Sequence, residues 1–382
     1  MLDLFIKNDT QRIWLQKLHE KEAQFKSKSA EYDEQSKFPK ENIHRLIEMG
    51  YTAQTLPAAY GGGGLSTYDM VLLQETLASF DGATALSIGW HMGVVGEIYE
   101  KKLWADEKLN FFADEVLKGA LVNRAVSEAQ TGSPTRGGRP GTYAIKKNGN
   151  WEITGRKNFT TMSPVLTHFL VSAWMEDKQA IGFFLLHKDL EGLSIEETWD
   201  VISMRGTESH DLVLEKVIVE ESKLVEINQG PRGDQLNGWT IHIPACYLGI
   251  AQAARDYATQ FANEYSPNSL NGPISQLPNV QNLVGQIELE LMQARHFLYS
   301  AAAAYDDEER RSYITNELGA VKHTVTNSAI SIVDKAMRVV GAKSLQRKNP
   351  LQRYYRDVRA GLHNPPMDDV TIRKLALTAL NK

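Results

Sequence analysis

The spacing of apolar residues changes twice along this chain of 382 residues. In the first part the apolar positions follow a helical period, and the segments 71–79 and 83–99 are so apolar that they indicate buried helices. Polar and apolar residues then alternate, which is typical of strands, before the helical period returns. We therefore expect an all-helical domain over residues 1–120, a β-domain over 121–225 and a four-helix bundle over 226–382.

The middle part carries the signals of a compact sheet. Asn148 and Gly149 lie between two alternating stretches, and this dipeptide favours a β-hairpin. Apolar runs follow at 169–174, 181–186 and 212–219, with turn residues between them. The expected fold class is α+β, with an antiparallel, barrel-like β-domain between two helical domains.

The last part of the chain predicts long helices. One extends over 280–305, and another ends at Gly341, a residue type that often follows the last helical turn. Their apolar stripes suit a bundle, and some could face a second subunit. We therefore expect a homodimer or a homotetramer.

Composition excludes several classes of function. The formal net charge of -5 leaves no basic surface for nucleic acid. Cys246 is the single cysteine, which excludes an intramolecular disulfide and a cysteine-based metal cluster, and no spacing of His, Asp and Glu suggests another metal site. The first residues lack a signal-peptide pattern, and no apolar run is long enough to span a bilayer, so we expect a cytoplasmic protein.

A loop near the start of the β-domain carries candidate chemistry. Residues 127–133 read Ser-Glu-Ala-Gln-Thr-Gly-Ser, whose backbone N–H groups and hydroxyls suit a phosphate or the edge of a flavin ring. A glycine-rich loop at 57–66 has neither a preceding strand nor the G-x-G-x-x-G spacing, so it does not indicate a dinucleotide site. On these residues alone, a β-domain with ordinary turns is the simpler interpretation.

Five short motifs follow one another in a fixed order. They are SEAQTGS at 127–133, GRKNFTT at 155–161, MRGT at 204–207, LGIAQAARDYA at 248–258, and Arg356-Asp357 after Gly341 and Pro350. In kind and order they resemble the acyl-CoA dehydrogenase superfamily of flavoproteins, and the resemblance covers nearly the whole chain. It implies that superfamily's fold of an N-terminal helical domain, a middle β-barrel domain and a C-terminal bundle.

The resemblance also implies an FAD site. The residues expected to bind the cofactor are Val126, Ser127, Ser133, Phe159, Thr161 and Gly341. Phe159 would pack on the isoalloxazine ring and Thr161 would hydrogen-bond to it, which suits a flavin because the reduced ring needs donors and an apolar wall. The implied reaction is α,β-dehydrogenation of an acyl-CoA thioester in fatty acid metabolism, with hydride transfer to FAD and an electron-transfer flavoprotein as partner.

The catalytic base of that family is missing from both of its known positions. In the family a glutamate some residues after Arg-Asp removes the substrate's α-proton, and here Pro365 stands there. At the second position, before the Leu-Gly motif, stands Trp239. The candidates to replace the base are Asp369 and Asp368, which could equally begin a helix, and His363, whose residue type suits proton transfer near neutral pH.

Two further interpretations remain open. The segment around His363 also resembles that of flavin-dependent monooxygenases built on the same fold, which would take reduced flavin, FAD or FMN, from a flavin reductase and act on a small aromatic or heterocyclic substrate. A catalytically silent flavin-binding scaffold is the third interpretation. We expect His91 in the core, while His210 and His242 are candidates for lining the substrate cavity.

Overall fold

The computed structural model describes residues 2–131, 138–228 and 237–381, and within them helices flank a sheet. The N-terminal helices are α1 (Asp9–Glu20), α2 (Glu22–Lys26), α3 (Ser29–Gln35), α4 (Lys40–Glu48), α5 (Thr67–Phe80), α6 (Gly82–Glu100) and α7 (Asp106–Leu117). The strands are β1 (Val122–Ala125), β2 (Tyr143–Lys147), β3 (Asn150–Lys157), β4 (His168–Met175), β5 (Ala180–His187), β6 (Leu193–Glu196), β7 (Asp211–Glu220) and β8 (Leu224–Asn228). The C-terminal helices are α8 (His242–Glu264), α9 (Pro278–Asp306), α10 (Glu317–Val340), α11 (Pro350–Asp357) and α12 (Asp368–Ala379).

Helices α5 and α6 form the buried centre of the N-terminal part, as their composition predicts. α5 begins with reciprocal capping: Ser66 Oγ accepts from Asp69 N at 3.3 Å, and Asp69 Oδ2 accepts from Ser66 N at 2.9 Å. α6 begins after Asp81, whose carboxylate accepts from Thr84 N at 3.0 Å. Nearly every side chain of both helices is buried, so neither helix has a polar face.

The strands form one sheet in the order β6-β7-β3-β2-β4-β5-β8, with β1 also paired to β4. β1 and β2 both run parallel to β4 and lie end to end along it, β1 against residues 168–171 and β2 against 174–175. The other pairings are antiparallel. The sheet is therefore mixed, where the alternation alone led us to expect an antiparallel one, because β1 and β2 pair with the same edge of β4 in the same direction.

The turn between β2 and β3 confirms the hairpin predicted from the Asn-Gly signal. Asn148 has a φ of 51° and Gly149 a φ of 82°, so both residues adopt the left-handed conformation that a two-residue type I′ turn requires. β2 and β3 pair in antiparallel register from Lys147 and Asn150 onward. This hairpin positions the end of β3 at the candidate site described below.

Three long helices, α8, α9 and α10, dominate the C-terminal part, and α5 packs with them. Gly249 permits the close contact of α8 with α5, because a Cβ there would lie 2.2 Å from the Glu75 carbonyl oxygen. The Glu75 carboxylate accepts from Arg295 Nη2 at 2.5 Å and from Tyr299 OH at 2.8 Å, all in the buried core. α5 thus packs on the long helices from the N-terminal part of the chain. Within the described residues no helix has the length and apolar character needed to cross a membrane.

Candidate active site

The loop after β3 and the loop before β7 are hydrogen-bonded side by side. Thr160 N donates to the His210 carbonyl at 3.1 Å, and Met162 N donates to the Thr207 carbonyl at 3.0 Å. Because β3 and β7 are neighbours in the sheet, the two loops extend this pairing beyond the strands. They form one continuous surface at that end of the sheet.

The same two loops hold several non-glycine residues in the left-handed region of backbone space. The φ angle is 54° at Phe159, 55° at Met162, 52° at Met204 and 36° at Glu208. Such conformations cost about 1–3 kcal/mol each and cluster at functional sites. Their concentration here makes the paired loops the strongest candidate for the site.

Phe159 presents a large aromatic side chain to open space. Its exposed fraction is 61%, and the ring of Trp199 meets it edge-on with the centroids 6.0 Å apart. Two residues further on, Thr161 is buried, and its hydroxyl accepts a hydrogen bond from Ser209 Oγ at 3.0 Å. An exposed aromatic face beside a hydroxyl fits a flat ring with polar edges, as a flavin has.

The loop that carries the SEAQTGS motif begins at the same place. Asn158 N donates to the Ser127 carbonyl at 2.9 Å, so Ser127 lies beside the residue that precedes Phe159. The loop leaves the sheet between β1 and β2, where β4 changes partner. The gap in the edge of the sheet therefore positions this backbone next to the exposed aromatic ring.

Four of the six residues expected to bind the cofactor are brought together in this way. They are Val126, Ser127, Phe159 and Thr161. Ser133 lies outside the described residues. Gly341 follows α10 with a φ of 67°, and no hydrogen bond among the described residues joins it to the other four. That these residues bind a flavin stays a prediction.

A buried ion pair fixes the loop, and our sequence reasoning missed it. Lys157 Nζ, fully buried at the end of β3, donates to Glu128 Oε1 at 2.5 Å and to Ser172 Oγ at 3.1 Å. Glu128 also accepts from the backbone N of Gly141 at 2.6 Å and of Thr142 at 3.1 Å. Burial raises the pKa of Glu128, but the Lys157 charge and these hydrogen bonds bring it below its ordinary value. The sequence did offer a signal for this pair, because Glu128 and Lys157 carry opposite charges and lie in two of the five motifs.

Asp368, one candidate for the base, is tied to helix α10. Its carboxylate lies 3.4 Å from Lys322 Nζ and 3.2 Å from His323 Nδ1, and it accepts from Asn327 Nδ2 at 3.1 Å. Burial raises the pKa of Asp368, but the hydrogen bonds from Asn327 and His323 bring it below its ordinary value. A carboxylate with these partners is a weak proton acceptor, and its position at the first turn of α12 suits a structural role.

His363 and Asp369, the other two candidates, are exposed. The segment that holds His363 is fixed from α8, because Tyr247 OH donates to Asn364 Oδ1 at 2.5 Å. The next residue, Pro365, stands at the family's glutamate position and offers no side-chain group that could accept a proton. The structure therefore does not gather the three candidates into one cluster.

A tryptophan fills the space at the second base position. Trp239 is buried, and its ring lies against Gly96 of α6, where a Cβ would come within 2.5 Å of the ring. Its Nε1 donates to Glu100 Oε2 at 3.1 Å, and Tyr305 OH donates to the same oxygen at 2.6 Å. Arg311 Nη1 lies 3.3 Å from the other oxygen. The Glu100 carboxylate is thus occupied by structural partners.

The ring of His242 fills the neighbouring space along α6. Its ring packs closely against Gly89 and Gly93 and meets the ring of Trp90 edge-on at 5.0 Å. Burial lowers the pKa of His242 to about 3, so the imidazole is neutral at pH 7. Its Nδ1 is buried without a hydrogen-bond partner among the described residues.

His91 and His210 are held by backbone groups. His91 is fully buried, as expected; its Nε2 lies 3.0 Å from the Thr52 carbonyl and its Nδ1 accepts from Val122 N at 3.1 Å. His210 Nδ1 accepts from two successive backbone N–H groups, both at 3.1 Å. In the described parts of the chain no group of three His, Cys, Asp or Glu side chains could hold a metal ion.

Family models for the acyl-CoA dehydrogenase N-terminal, middle and C-terminal domains match residues 10–101, 123–217 and 241–364 in that order. The chain belongs to the acyl-CoA dehydrogenase family. The family assignment confirms the fold expected from the five motifs, with helical N- and C-terminal parts around a sheet.

Relatives of this acyl-CoA dehydrogenase family member differ in the chemistry their names describe. Over 378 residues, and 99% of each chain, it is 63% identical to a Bacillus subtilis (strain 168) protein named "Putative acyl-CoA dehydrogenase YdbM". It is 29% identical over 358 residues to the L-evernosamine nitrososynthase of a Micromonospora species, covering 88% of this chain and 82% of that protein. The structure of TdsC from Paenibacillus sp. A11-2, solved with FMN and indole, shares the fold with a TM-score of 0.86, 20% identity and 98% coverage of both chains.

Proposed function

We propose that this family member is a flavin-dependent monooxygenase. It would transfer one atom of O2 to a small substrate and reduce the other atom to water, using two electrons from reduced flavin. The observation that carries the proposal is the absence of a carboxylate at both base positions, where Pro365 and the buried Trp239 stand. An acyl thioester cannot lose its α-proton without a base, whereas oxygen transfer to an electron-rich sulfur, nitrogen or aromatic carbon needs none on the substrate.

The surface around Phe159 would hold the flavin. The exposed ring of Phe159 would pack on the cofactor and keep water from one face. The Thr161 hydroxyl would donate to the cofactor's edge, and the backbone at Ser127 lies beside it. When bound, the flavin supplies the redox chemistry and the reaction with O2. The FMN bound in the TdsC structure supports a flavin in this fold.

The substrate would be compact. In the family a base at the position of Trp239 lies next to the substrate's reacting carbon, so the space around it belongs to the substrate site. Here the rings of Trp239 and His242 fill that space against the glycines of α6. Little room is left for a long acyl chain, and the neutral His242 adds no charge. A small uncharged or weakly polar substrate fits these walls better.

His363 is our proposal for the group that moves a proton. An imidazole can give up and take back a proton near neutral pH. Its backbone N donates to the Ala360 carbonyl at 3.0 Å, and the side chain of the next residue, Asn364, accepts from Tyr247 OH. In this role His363 would supply a proton to the oxygen atom that leaves as water.

Isotope labelling tests the proposal. The protein is loaded with FMN or FAD, the flavin is photoreduced without oxygen, and ¹⁸O2 is added together with a panel of small thioethers, sulfinates, amines and indoles. We expect one ¹⁸O atom in the product of at least one compound. Complete conversion of the reduced flavin's electrons to hydrogen peroxide with every compound would refute the proposal.

Acyl-CoA dehydrogenation is the second candidate, and two observations favour it. The retained flavin motifs and the name of the relative at 63% identity both point to it. The base would then be Asp369 or His363, since Asp368 is bound to α10. Reduction of bound FAD by an acyl-CoA ester, abolished by Asp369→Asn or His363→Ala, would establish this reaction; an electron-transfer flavoprotein would then be the acceptor.

A further inference from the structure

A row of buried hydroxyls lies behind Thr161. Ser209 Oγ donates to Thr161 Oγ1 at 3.0 Å and lies 2.9 Å from Thr207 Oγ1. Thr207 Oγ1 in turn donates to the Met204 carbonyl oxygen at 2.9 Å. All three hydroxyl side chains are buried, so water does not compete for their protons.

The direction of this row follows from counting protons, because each hydroxyl has one to donate. Thr207 gives its proton to the Met204 carbonyl, so it has none left for Ser209. Ser209 gives its own proton to Thr161. The proton of the Thr161 hydroxyl then has no acceptor among the described residues.

We propose that Ser209 is a positioning residue that directs the Thr161 hydroxyl proton at an acceptor atom on the bound flavin. The inference rests on the proposed flavin site and not on the oxygenation reaction. Because the Thr161 oxygen is occupied by the Ser209 donor, its proton faces away from Ser209. An acceptor atom of a ligand in the space beside Phe159 would accept the Thr161 proton.

A double-mutant cycle tests whether Ser209 acts through Thr161. Thr161→Val, Ser209→Ala and the double variant are titrated as apo-proteins with FMN and with FAD, following flavin fluorescence and the visible spectrum. We expect each single variant to bind flavin about five-fold more weakly, which corresponds to one neutral hydrogen bond. The double variant should bind flavin no more weakly than Thr161→Val, because both changes act on the same hydrogen bond from Thr161 to the flavin.

Two matched controls separate positioning from a loss of structure. Ser163→Ala removes another buried hydroxyl of the same loop, which donates to the Glu208 carbonyl at 2.9 Å. It should lower the melting temperature of the apo-protein and leave flavin affinity and spectrum unchanged. At Ser209 itself, Ser209→Thr keeps the donor and should bind flavin like the wild type, whereas Ser209→Cys keeps the shape with only a weak donor and should bind more weakly.

The outcomes distinguish this inference from the proposed function. A folded Ser209→Ala variant with wild-type flavin affinity and spectrum overturns the inference, and so does full additivity with Thr161→Val. If Ser209→Ala does not fold, equal flavin binding by the Ser209→Thr and Ser209→Cys variants overturns it. A wild-type protein that binds neither flavin overturns the flavin site and the inference together. Flavin binding that follows the expected cycle without any oxygenation overturns only the proposed function.

Discussion

Replacing Glu128 by glutamine tests the buried ion pair that fixes the loop beside Phe159. Glu128→Gln keeps the size of the side chain and one acceptor for the backbone N–H groups of Gly141 and Thr142, but removes the charge opposite Lys157. Lys157 is fully buried, so it must either keep a charge without a partner or lose its proton. Removing one partner of such a pair costs about 3 kcal/mol of unfolding free energy or somewhat more.

The loss of unfolding free energy should be larger at low pH than at high pH. Burial lowers the pKa of Lys157 to about 8, although Glu128 opposes the shift. At pH 6 the wild-type pair is charged, and the variant should lose about 3 kcal/mol. At pH 9 most of the wild-type Lys157 is itself neutral, so the loss should shrink to about 1 kcal/mol, the contribution of the remaining hydrogen bonds.

Urea unfolding of the apo-protein at the two pH values, followed by far-UV circular dichroism, measures both losses. Glu221→Gln is the matched control, because it removes an exposed ion pair with Lys146 whose atoms are 2.6 Å apart. That pair lies in water, so the control should show no measurable loss. The reasoning is refuted if Glu128→Gln loses the same free energy at pH 6 and pH 9, or no more than the control.

Three further changes test other parts of the structure. Glu75→Gln leaves the buried Arg295 without its charged partner and should lower the unfolding free energy by about 3 kcal/mol in urea; an unchanged midpoint would contradict the buried pair. Gly96→Ala brings a Cβ within 2.5 Å of the Trp239 ring and should cost about 1–3 kcal/mol of unfolding free energy and alter tryptophan fluorescence; wild-type stability and fluorescence would contradict this contact. Burial raises the pKa of Asp357 to about 7, so the folded protein holds a proton that the unfolded chain releases near pH 4. Stability should therefore fall from pH 4 to pH 7, and Asp357→Asn should remove that part of the decline; an identical pH profile would refute it.

The elements that the sequence predicted well are those set by local interactions. The buried helices α5 and α6, the long helices α8 to α10 and the hairpin at Asn148 and Gly149 all follow from periodicity or from a single turn. The parallel pairing of β1 and β2 with β4 did not, because it depends on where a long loop returns the chain. Strand alternation is the same in parallel and antiparallel pairs, so the sequence alone could not distinguish them.

The candidate site was predicted in part, for a similar reason. The motifs pointed to Ser127, Phe159 and Thr161, which the paired loops and the Asn158 hydrogen bond bring to one surface. Ser209 and the pair of Glu128 and Lys157 were not found. A serine in a turn is ordinary until folding buries it, and the opposite charges in the two motifs do not by themselves show that Glu128 and Lys157 meet in the core. Both roles arise from contacts across the sheet.

The choice between Asp368 and the other base candidates also needed the fold. In the sequence, Asp368 and Asp369 are equivalent as helix-starting residues. The structure separates them, because Asp368 accepts from Asn327 and lies beside Lys322 of α10, whereas Asp369 is exposed. The partners of Asp368 lie more than forty positions earlier in the chain, so no local sequence pattern could predict this difference between Asp368 and Asp369.

The measurement that tests the central claim most directly is anaerobic mixing of the flavin-loaded protein with acyl-CoA esters of short, medium and long chain. The visible absorption band of the oxidised flavin is recorded, and photoreduction of the same sample shows that the flavin can be reduced. With Pro365 and Trp239 at the two base positions, we predict that the band persists with every ester. Loss of the band with any ester would show that the α-proton is removed and a hydride transferred, and would contradict the account.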